Sequence, residues 1–592
     1  MSTDHHETIQ SGQAALAQGE YLAAYEYALA GIEHFPDDDQ LKHLAVLALA
    51  RMGATRQASK LYQEYQLAEI NEVDPLALGA RLKKDMALMQ SQQDQAPYFE
   101  DAARAYERIF VDFGRNDYYP AINAASLYML ANEPDLAREL AAETVALCEQ
   151  QEANYWSLAS LAEARLLLGE IDACKQALQQ ACAGEYADIA SKAATRKQFK
   201  MLGAPDQVLA ELTLPGIIHF AGHIIGAPGA QSRYPAEQES EVADQINAFL
   251  EQHNVMIGYG SLAAGADIQF AEALLERGGE VNIVLPFDRD DFIEASVLSA
   301  GGDWLDRFEQ VMQRASKVTY SATGTYEGNS VLFHNCSLYA MGLACLRRSH
   351  LGAPVKQVVV WDGEQTNMAA GTAGDRATWQ RLGHESHVIA VQSNRSKQAA
   401  PTAPAPTVTN SDLTAVVFGD VAGFSKLSDR EIPIFVEYVM GTLARAIDKA
   451  LGGDKSHLRS VNTWGDGIFM VFDDADVAAA CANHMLVALQ NCDLTDKGIE
   501  EQPQLRLGAN YGPVFQFTDP ITGRLNFFGH QVNTAARIEP IAPQGEVYLT
   551  ESFAAQLALH PAQRFAADYV GEMQLAKNFG KSRMYLLKPQ ST

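Results

Sequence analysis

Two aspartates in the last third of the chain have neighbours that suit metal chemistry. Asp420 follows the apolar, β-branched run Leu413–Phe418, which predicts a buried strand, and a turn of small residues comes after it. Asp466 stands between two further apolar runs, in the sequence Trp464-Gly465-Asp466-Gly467. A carboxylate at a strand end, beside a turn with free amides, is a suitable place for a metal–triphosphate. Taken alone, Asp466 would be interpreted as a hairpin residue, because Asp-Gly is the strongest short hairpin signal.

The elements that must position these carboxylates can be predicted around them. A helix is expected from about Asp429 to Leu451, followed by two strands, Arg459–Thr463 and Ile468–Phe472. If Val532–Ile538 is helical, Asn533 and Arg537 are four residues apart and project from one face of that helix. This places an amide and a fixed cation on a helix that follows the two carboxylates in the chain.

Three segments together carry a family resemblance. FGDVAGFSKL, TWGDGIFMVF and FGHQVNTAAR follow one another in this order. They resemble the metal-binding and transition-state motifs of class III adenylate and guanylate cyclases, over a region that we place at residues 411–592. The resemblance implies an α+β, ferredoxin-like catalytic domain. It also implies conversion of a nucleoside triphosphate to the 3′,5′-cyclic monophosphate and pyrophosphate, with two Mg²⁺ or Mn²⁺ ions in each active site.

The resemblance also implies roles for single residues. The metal ligands would be two carboxylates and one backbone carbonyl, supplied by Asp420, Asp466 and Val421. Asn533 would orient the ribose, and Arg537 would bind the α-phosphate in the transition state. Phosphate contacts would come from a turn and a lysine, namely Gly423, Phe424, Ser425 and Lys577, with Lys581 as the other candidate lysine. No protein nucleophile is required, because two metal ions can activate the ribose hydroxyl and neutralise the leaving group.

The residues that would recognise the base depart from the family. Adenylate cyclases typically use Lys and Asp for this role and guanylate cyclases use Glu and Cys, whereas the corresponding positions here are Asn462 and Asn526. An amide both donates and accepts hydrogen bonds and can therefore read either purine. ATP is the preferred prediction. GTP, a pyrimidine triphosphate and no turnover remain as alternatives.

The family resemblance also predicts an assembly. The active site in this family forms between two cyclase domains, one supplying the aspartates and the other the Asn and Arg. This chain has one such domain carrying both sets, so we expect a symmetric homodimer with two equivalent sites. The alternative interpretation is a catalytically silent signalling scaffold, whose cyclase-like domain binds nucleotide and whose helical repeats bind a protein partner.

The middle of the chain, residues 212–391, alternates short β-rich runs with helical stretches, which favours a doubly wound α/β sheet. The run Val255–Tyr259 leads into a turn containing Gly260, Ser261 and Gly265 and then into a predicted helix. This arrangement resembles a SLOG-type nucleotide-sensing domain and implies a nucleotide-like ligand on these three residues. The alternative is that the glycines only let the helix pack close to the sheet. His219 and His223 lie near the first strand end, and we interpret them as structural or solvent-facing.

The first part of the chain, residues 1–205, is rich in Ala and Leu at helical spacing. Gly19 with Ala24 recurs as Gly53 with Ala58, an offset that matches the tetratricopeptide period. The segment Tyr118–Ala125 resembles the TRAFs-binding helical region found beside such repeats. We therefore expect an all-α repeat region with a protein partner, and regulation of the cyclase by the repeat and sensor domains.

Composition limits the remaining classes of function. Asp and Glu (74) exceed Lys and Arg (45), giving a formal net charge of −29, which argues against a nucleic-acid-coating protein. No apolar stretch is long enough to cross a bilayer, and the seven scattered cysteines lack a C-x-x-C pair. These features predict a reduced, cytoplasmic chain. Residues 392–410, rich in Pro, Ala, Ser and Thr, predict a flexible linker before the last domain.

Overall fold

A computed structural model describes residues 5–184, 187–326, 328–366, 368–395, 411–497 and 502–590. The chain forms two compact units, Met1–Leu214 with His350–Ala353, and Pro215–Ser349 with Pro354–Thr592. The first unit is helical, and the second contains an α/β sheet followed by an α+β sheet. The predicted multidomain fold class is confirmed.

The helical unit is built from consecutive antiparallel helices joined by short turns. Its helices α1 to α12 are His5–Ala17, Tyr21–His34, Asp39–Met52, Thr55–Glu64, Val73–Ala87, Gln95–Asp112, Tyr118–Leu130, Pro134–Glu149, Tyr155–Leu167, Ile171–Ala183, Ile189–Met201 and Asp206–Leu209. Gly19 and Gly53, which mark the repeat in the sequence, have φ angles of 73° and 87° at the turns that follow α1 and α3. Only a residue without a Cβ adopts this conformation at no steric cost, so the repeated glycines reverse the chain between paired helices. Ala24 and Ala58 are fully buried in the second helix of each pair.

The middle domain is a six-stranded parallel sheet. Strands β1 to β6 are Gly216–Gly222, Val255–Gly260, Glu280–Leu285, Lys317–Tyr320, Val355–Trp361 and Ser386–Ala390. Helices α13 to α18 are Glu239–Gln252, Ala266–Glu276, Arg289–Ser296, Trp304–Arg314, Val331–Leu351 and Thr372–Arg381. The strand order β4-β3-β2-β1-β5-β6 reverses direction between β1 and β5, as in a doubly wound fold. The β-rich runs of this sequence predict five of these strands, at Ile217–Phe220, Val255–Tyr259, Val281–Pro286, Lys317–Tyr320 and Val355–Trp361. They do not predict β6, and α15 and α18 were also missed.

The last domain is an α+β fold around a mostly antiparallel sheet. Strands β7 to β14 are Ser411–Ala422, Leu458–Trp464, Gly467–Phe472, Gln504–Thr518, Leu525–Phe528, Val547–Thr550, Phe565–Gln574 and Lys581–Pro589. Helices α19 to α23 are Ile432–Ile434, Gly441–Leu451, Ala475–Gln490, His530–Ile538 and Glu551–Leu559, with a π-helical segment Phe435–Met440 between α19 and α20. The predicted helix over Asp429–Leu451 is therefore present, but it is interrupted.

The order of the central strands gives the ferredoxin-like fold that the resemblance implied. Strands β10, β7, β9 and β8 are neighbours in this order, and their pairings are antiparallel. One face of the sheet packs against α22 through a cluster that contains Val416, Phe469, Val514 and Ala535. This face carries the candidate active site, as described below.

Within the second unit, the middle domain packs directly on the cyclase-like domain through α17 and α23. A Cβ placed on Gly342 of α17 would lie 2.5 Å from the carbonyl oxygen of Ala555 in α23, so the two helices touch backbone to backbone. Leu338 and Met341 of α17 share an apolar cluster with Leu559 of α23. The contact is therefore a close-packed interface between the two domains.

A buried carboxylate anchors the same interface. Glu551, the first residue of α23, accepts a hydrogen bond from the Tyr339 hydroxyl at 2.6 Å and faces Arg583 at 3.4 Å and Lys317 at 3.9 Å. Burial opposes ionisation of Glu551, but the two cations and the tyrosine hydroxyls lower its pKa to about 2. Lys317 and Tyr339 belong to the middle domain, so this charge is stabilised by side chains from both domains.

The start of the predicted linker is held by the middle domain. Gln392 donates its backbone N–H to the Gln238 side chain at 2.8 Å, and the Asn394 side chain accepts the Ser232 N–H at 2.7 Å. Residues 396–410, the rest of the predicted linker, lie outside the described residues.

Among the described helices none combines the length and apolarity needed to cross a membrane. All seven cysteines are free thiols, five of them buried.

Candidate active site

Strand β7 positions the first predicted metal ligand. Side chains alternate between the two faces of a strand, so Asp420 lies on the same face as Val416 and Phe418, the face covered by α22. Val421, the other predicted ligand on this strand, has a buried side chain, which leaves its backbone as the group that could act. Asp420 is half-buried at the end of an apolar strand, as the sequence predicted.

The β8–β9 hairpin brings the second carboxylate to the first. Gly465 and Asp466 form its two-residue turn, and Gly465 has a φ of 66°, which suits glycine at the first central position. The Asp466 carboxyl lies close enough to Asp420 for the two acids to interact. Burial raises the pKa of Asp466, and the neighbouring Asp420 carboxyl raises it further. The structure therefore brings both predicted carboxylates together.

An arginine that sequence analysis missed is paired with this carboxylate cluster. Arg506 of β10 stands directly opposite Asp420 in the strand register, and its guanidinium contacts the Asp420 carboxylate at 2.8 Å. The same guanidinium lies 2.6 Å from Glu539, which follows α22. Burial alone would lower the pKa of Arg506, but the two carboxylates raise it. Arg506 thus joins β7, β10 and the end of α22 beside the site.

The signal for Arg506 was present in the sequence. It stands between Leu505 and Leu507 in an apolar run, and a charge in such a position needs a partner. The identity of that partner depends on strand pairing, because Asp420 is 86 positions away. Sequence patterns do not give that pairing.

Helix α22 carries the predicted ribose and phosphate residues. Gly529, with a φ of 132°, lets β11 turn directly into this helix. Asn533 is exposed and Arg537 is half-buried, and both lie outside the buried face formed by Thr534, Ala535 and Ile538. Within the described part of the chain Arg537 forms no salt bridge. Its charge is therefore available to a ligand.

Buried hydrogen bonds fix the start of α22. The Asn510 amide donates to the side-chain oxygen of Gln531 at 2.7 Å and to its backbone oxygen at 2.9 Å. Asn510 in turn accepts a hydrogen bond from the Thr550 hydroxyl at 2.8 Å. Thr550 directly precedes Glu551, the residue at the interface with the middle domain. The helix that carries Asn533 and Arg537 is thus connected to that interface through β10 and β12.

The predicted phosphate-contacting turn adjoins the carboxylates. Gly423 has a φ of 91°, and the Phe424 ring contacts Gly465 of the opposite turn. Ser425 lies in the 3₁₀ turn that follows. Lys577 is exposed, in a short 3₁₀ segment whose neighbour Phe579 stacks on His530 at the start of α22. The alternative, Lys581, begins β14 and lies 3.9 Å from Glu572. Their phosphate contacts stay predictions.

The two candidate base-reading amides lie on strands beside the site. Asn462 of β8 is exposed, and its side-chain oxygen accepts the Thr463 N–H at 2.9 Å. Asn526 of β11 donates to Asp519 at 3.2 Å and accepts the Phe527 N–H at 2.9 Å. The Asn526 amide thus forms two hydrogen bonds with neighbouring residues, whereas the Asn462 side chain is exposed. Their role in base selection also stays a prediction.

The glycines of the predicted sensor turn have close neighbours. A Cβ on Gly260 would lie 2.4 Å from the Phe220 ring, and one on Gly265 would lie 2.7 Å from the Ile225 nitrogen. Ser261 lines a cavity that is described below. The glycines therefore permit close packing of β2 and α14 against β1, and the nucleotide contact predicted for these three residues stays a prediction.

The carboxylate pair fits a hard divalent cation. Asp420 and Asp466 supply oxygen ligands from the end of β7 and from the β8–β9 turn, and burial together with the Asp420 carboxyl raises the pKa of Asp466. Mg²⁺ and Mn²⁺ prefer carboxylate and carbonyl oxygen, and Mg²⁺ commonly keeps one or two carboxylates together with substrate phosphates. These residues would hold such ions.

Comparison with known proteins agrees with this geometry. Residues 407–589 match the family described as the adenylate and guanylate cyclase catalytic domain, and residues 19–128 match the tetratricopeptide repeats-sensor family. An adenylate cyclase of Streptomyces griseus is 31% identical over 150 residues, which cover 24% of this chain and 33% of that protein. An adenylate cyclase of Streptomyces coelicolor is 35% identical over 148 residues, covering 24% and 34%. The chain thus spans about a third of the length of these curated relatives.

Solved structures also resemble this part of the chain. The guanylate cyclase domain of RhGC from Catenaria anguillulae, crystallised with GTP, is 20% identical and has a TM-score of 0.26. That match covers 30% of this chain and 97% of the other. The sequence matches and the observed fold together show that residues 407–589 form an adenylate and guanylate cyclase catalytic domain, and that residues 19–128 form a tetratricopeptide-repeat sensor segment.

Proposed function

We propose that the chain is a nucleotidyl cyclase that converts ATP to cyclic AMP and pyrophosphate. The observation that carries this proposal is the proximity of Asp420 and Asp466, on a sheet face that also packs against the helix carrying Asn533 and Arg537. The relatives named above as adenylate cyclases support ATP as the substrate. GTP remains the alternative, because neither family pair of base-reading residues is present.

The reaction joins the ribose 3′-oxygen to the α-phosphorus and breaks the bond to pyrophosphate. Mg²⁺ or Mn²⁺ bound by Asp420 and Asp466 would lower the pKa of the ribose hydroxyl and neutralise the triphosphate. Arg537 would stabilise the charge that grows on the α-phosphoryl oxygens, because a guanidinium offers several N–H donors in a geometry that matches phosphate oxygens. Asn533, four residues earlier on the same helix, would hold the ribose in line. Arg506 would hold Asp420 in place without touching the substrate.

The active form is proposed to be a symmetric homodimer with two shared sites. Apolar side chains are exposed on the hairpin and on the β10–β11 arm beside the site: Trp464 is 59% exposed, Phe517 47% and Leu525 51%. A patch of this kind next to a site is typical of an interface, and the same surface on a second copy would cover it. Asn533 and Arg537 would then complete the site of the partner subunit.

Product formation tests the activity. Purified full-length protein is incubated with Mn²⁺ or Mg²⁺ and with ATP, GTP, CTP or UTP in turn, and products are identified by mass spectrometry. We expect cyclic AMP from ATP. Formation of cyclic GMP alone would identify GTP, and not ATP, as the substrate. Nucleotide binding without any cyclic product would favour the silent scaffold.

Regulation by the middle domain is proposed to act through α17. Its close packing on α23 and the Tyr339–Glu551 hydrogen bond connect it to the hydrogen bonds that fix α22. A long linker would transmit small shifts poorly, whereas packed helices transmit them well. A movement of α17 in the middle domain would therefore be transmitted through this contact to α22, the helix that carries Arg537.

Replacing Gly342 by leucine should disturb this route. The added side chain would collide with the backbone of Ala555, so we expect destabilisation by about 1–3 kcal/mol. We also expect cyclisation to slow by about tenfold, because displacing α23 would displace the residues that support α22.

Gly441→Ala is the matched control. This helical glycine has only the flexible end of Arg445 nearby, at 3.4 Å, so the stability and the cyclisation rate should both stay close to wild type. Melting curves and product rates, the latter measured well below either melting temperature, check this. A lower melting temperature of Gly342→Leu with an unchanged cyclisation rate would show that the α17–α23 interface stabilises the fold but does not regulate the reaction.

A further inference from the structure

A cavity of about 260 Å³ lies in the middle domain where the strand order reverses. It opens beyond the carboxyl ends of β1 and β5, and the N-terminal ends of α14 and α18 reach its wall. In open α/β sheets this position is where ligands bind, because the loops after the two strands diverge there. The cyclase site plays no part in it.

Two buried carboxyl groups line this cavity. Asp267, on the first turn of α14, is 6% exposed, and Asp375, on the first turn of α18, is 4% exposed. One oxygen of Asp267 accepts the Ala263 N–H at 3.2 Å, and one oxygen of Asp375 accepts the Ser337 hydroxyl at 3.0 Å. The second oxygen of each, Oδ1, is buried without a hydrogen bond of good geometry, although the Gly222 N–H lies near the Asp267 carboxyl. Unsatisfied buried carboxyl oxygens are costly, which points to a missing donor.

The charges nearby leave these acids uncompensated. Burial raises the pKa of Asp267 to about 7, and burial together with Asp267 raises that of Asp375 to about 8. The basic side chains among the lining residues, His223 and Arg233, face a different acid, Asp362, at 3.0 Å and 3.9 Å, and burial lowers the pKa of His223. In the part of the chain that the structure describes, neither Asp267 nor Asp375 forms a salt bridge. A positive charge entering the cavity would therefore favour the ionised form of both acids, with release of their protons, and would be stabilised by them.

The other residues that line the cavity indicate which class of ligand it could bind. Phe292, Phe333 and Met368 give the cavity an apolar side, which suits a carbon skeleton better than a hydrated inorganic ion. An anionic group is disfavoured here, because Asp267 already occupies the Ala263 amide at the helix start and two acids would repel it. The cavity thus combines acceptors for a cation with room for an apolar portion.

We infer that this cavity binds a small organic cation, an amine or guanidine, whose N–H groups are received by the carboxyl groups of Asp267 and Asp375. A guanidinium group donates in a planar fork and loses little hydration on burial, so it matches two neighbouring carboxylates well. Ser261 and Ser337 add hydroxyl acceptors on the same wall. The inference concerns binding and does not depend on the proposed cyclase activity.

Binding of butylguanidine to the full chain tests this site. Its uncharged counterpart butylurea has nearly the same shape, so the comparison isolates the positive charge. We expect butylguanidine to raise the melting temperature of the wild-type chain and to give a calorimetric binding isotherm, and butylurea to do neither. MgCl₂ and AMP are titrated in parallel as an inorganic cation and an anionic nucleotide.

Two substitutions test whether butylguanidine binds at Asp267 and Asp375. Asp375→Asn and Asp267→Asn keep an acceptor for Ser337 or Ala263 and remove a buried acid, so the free protein should melt at the same or a higher temperature. Each should weaken butylguanidine binding by about 10- to 100-fold, the loss of a charge-assisted hydrogen bond. Asp290→Asn, at a side chain 86% exposed in the same domain, is the control and should bind like wild type.

The other outcomes would overturn the inference. Absence of butylguanidine binding, or equal binding of butylurea, would remove the role of positive charge. A response to MgCl₂ or AMP that Asp375→Asn abolishes, without any response to butylguanidine, would assign the cavity to an inorganic cation or to a nucleotide. A lower melting temperature for both Asn variants with unchanged butylguanidine binding would make the acids structural.

Discussion

Asp420→Ala is expected to lower cyclic nucleotide production by a factor on the order of 10²–10³. The substitution removes one of the two carboxylates that strand β7 and the β8–β9 turn bring together, and Asp466 alone would hold a divalent cation weakly. The fold should persist, because Arg506 keeps Glu539 as a partner. Product is measured by mass spectrometry with Mn²⁺, and folding by melting curves.

The same strand offers a control for this variant. Asp412 lies at the other end of β7, on the same face as Asp420, where it pairs with Arg459 at 3.2 Å and is half exposed. Exposed ion pairs contribute little, so Asp412→Ala should keep the rate within about twofold. If Asp420→Ala forms as much product as wild type, Asp420 does not bind a catalytic metal ion, and the proposed mechanism is wrong.

Arg537→Ala should be as inactive as Asp420→Ala, yet the two inactive chains should restore activity when they are combined. In a symmetric dimer each site would take its aspartates from one subunit and its arginine from the other. A mixed dimer then has one site without either defect and one site with both. Random pairing of equal amounts yields about half mixed dimers, so about a quarter of wild-type activity should return.

Co-expression with two different affinity tags lets the mixed dimer be purified and assayed. Combining Asp420→Ala with Asp466→Ala is the control: both defects fall in the same half of a site, so no intact site can form. If Asp420→Ala and Arg537→Ala fail to restore activity although mixed dimers are isolated, both groups act within one chain. That result would contradict the shared site while leaving the cyclase activity itself open.

The sequence by itself determined the local placement of the proposed catalytic groups. Asp420 ends an apolar strand, Asp466 sits in a tight hairpin, and Asn533 and Arg537 share a helix face, because strand alternation, turn chemistry and helical periodicity act over a few residues. The repeated glycines of the helical unit and five strands of the middle sheet were predictable for the same reason. The turn at Gly465-Asp466 differed from the expected Asp-Gly turn, since glycine takes the positive φ.

Only the tertiary structure decided which distant groups meet. Arg506 finds Asp420 because antiparallel register places β10 beside β7, and no local pattern encodes that register. Asp267 and Asp375 share a cavity because the strand order reverses between β1 and β5, which brings the starts of α14 and α18 together. Long-range packing, which brings residues far apart in the chain into contact, determines these arrangements.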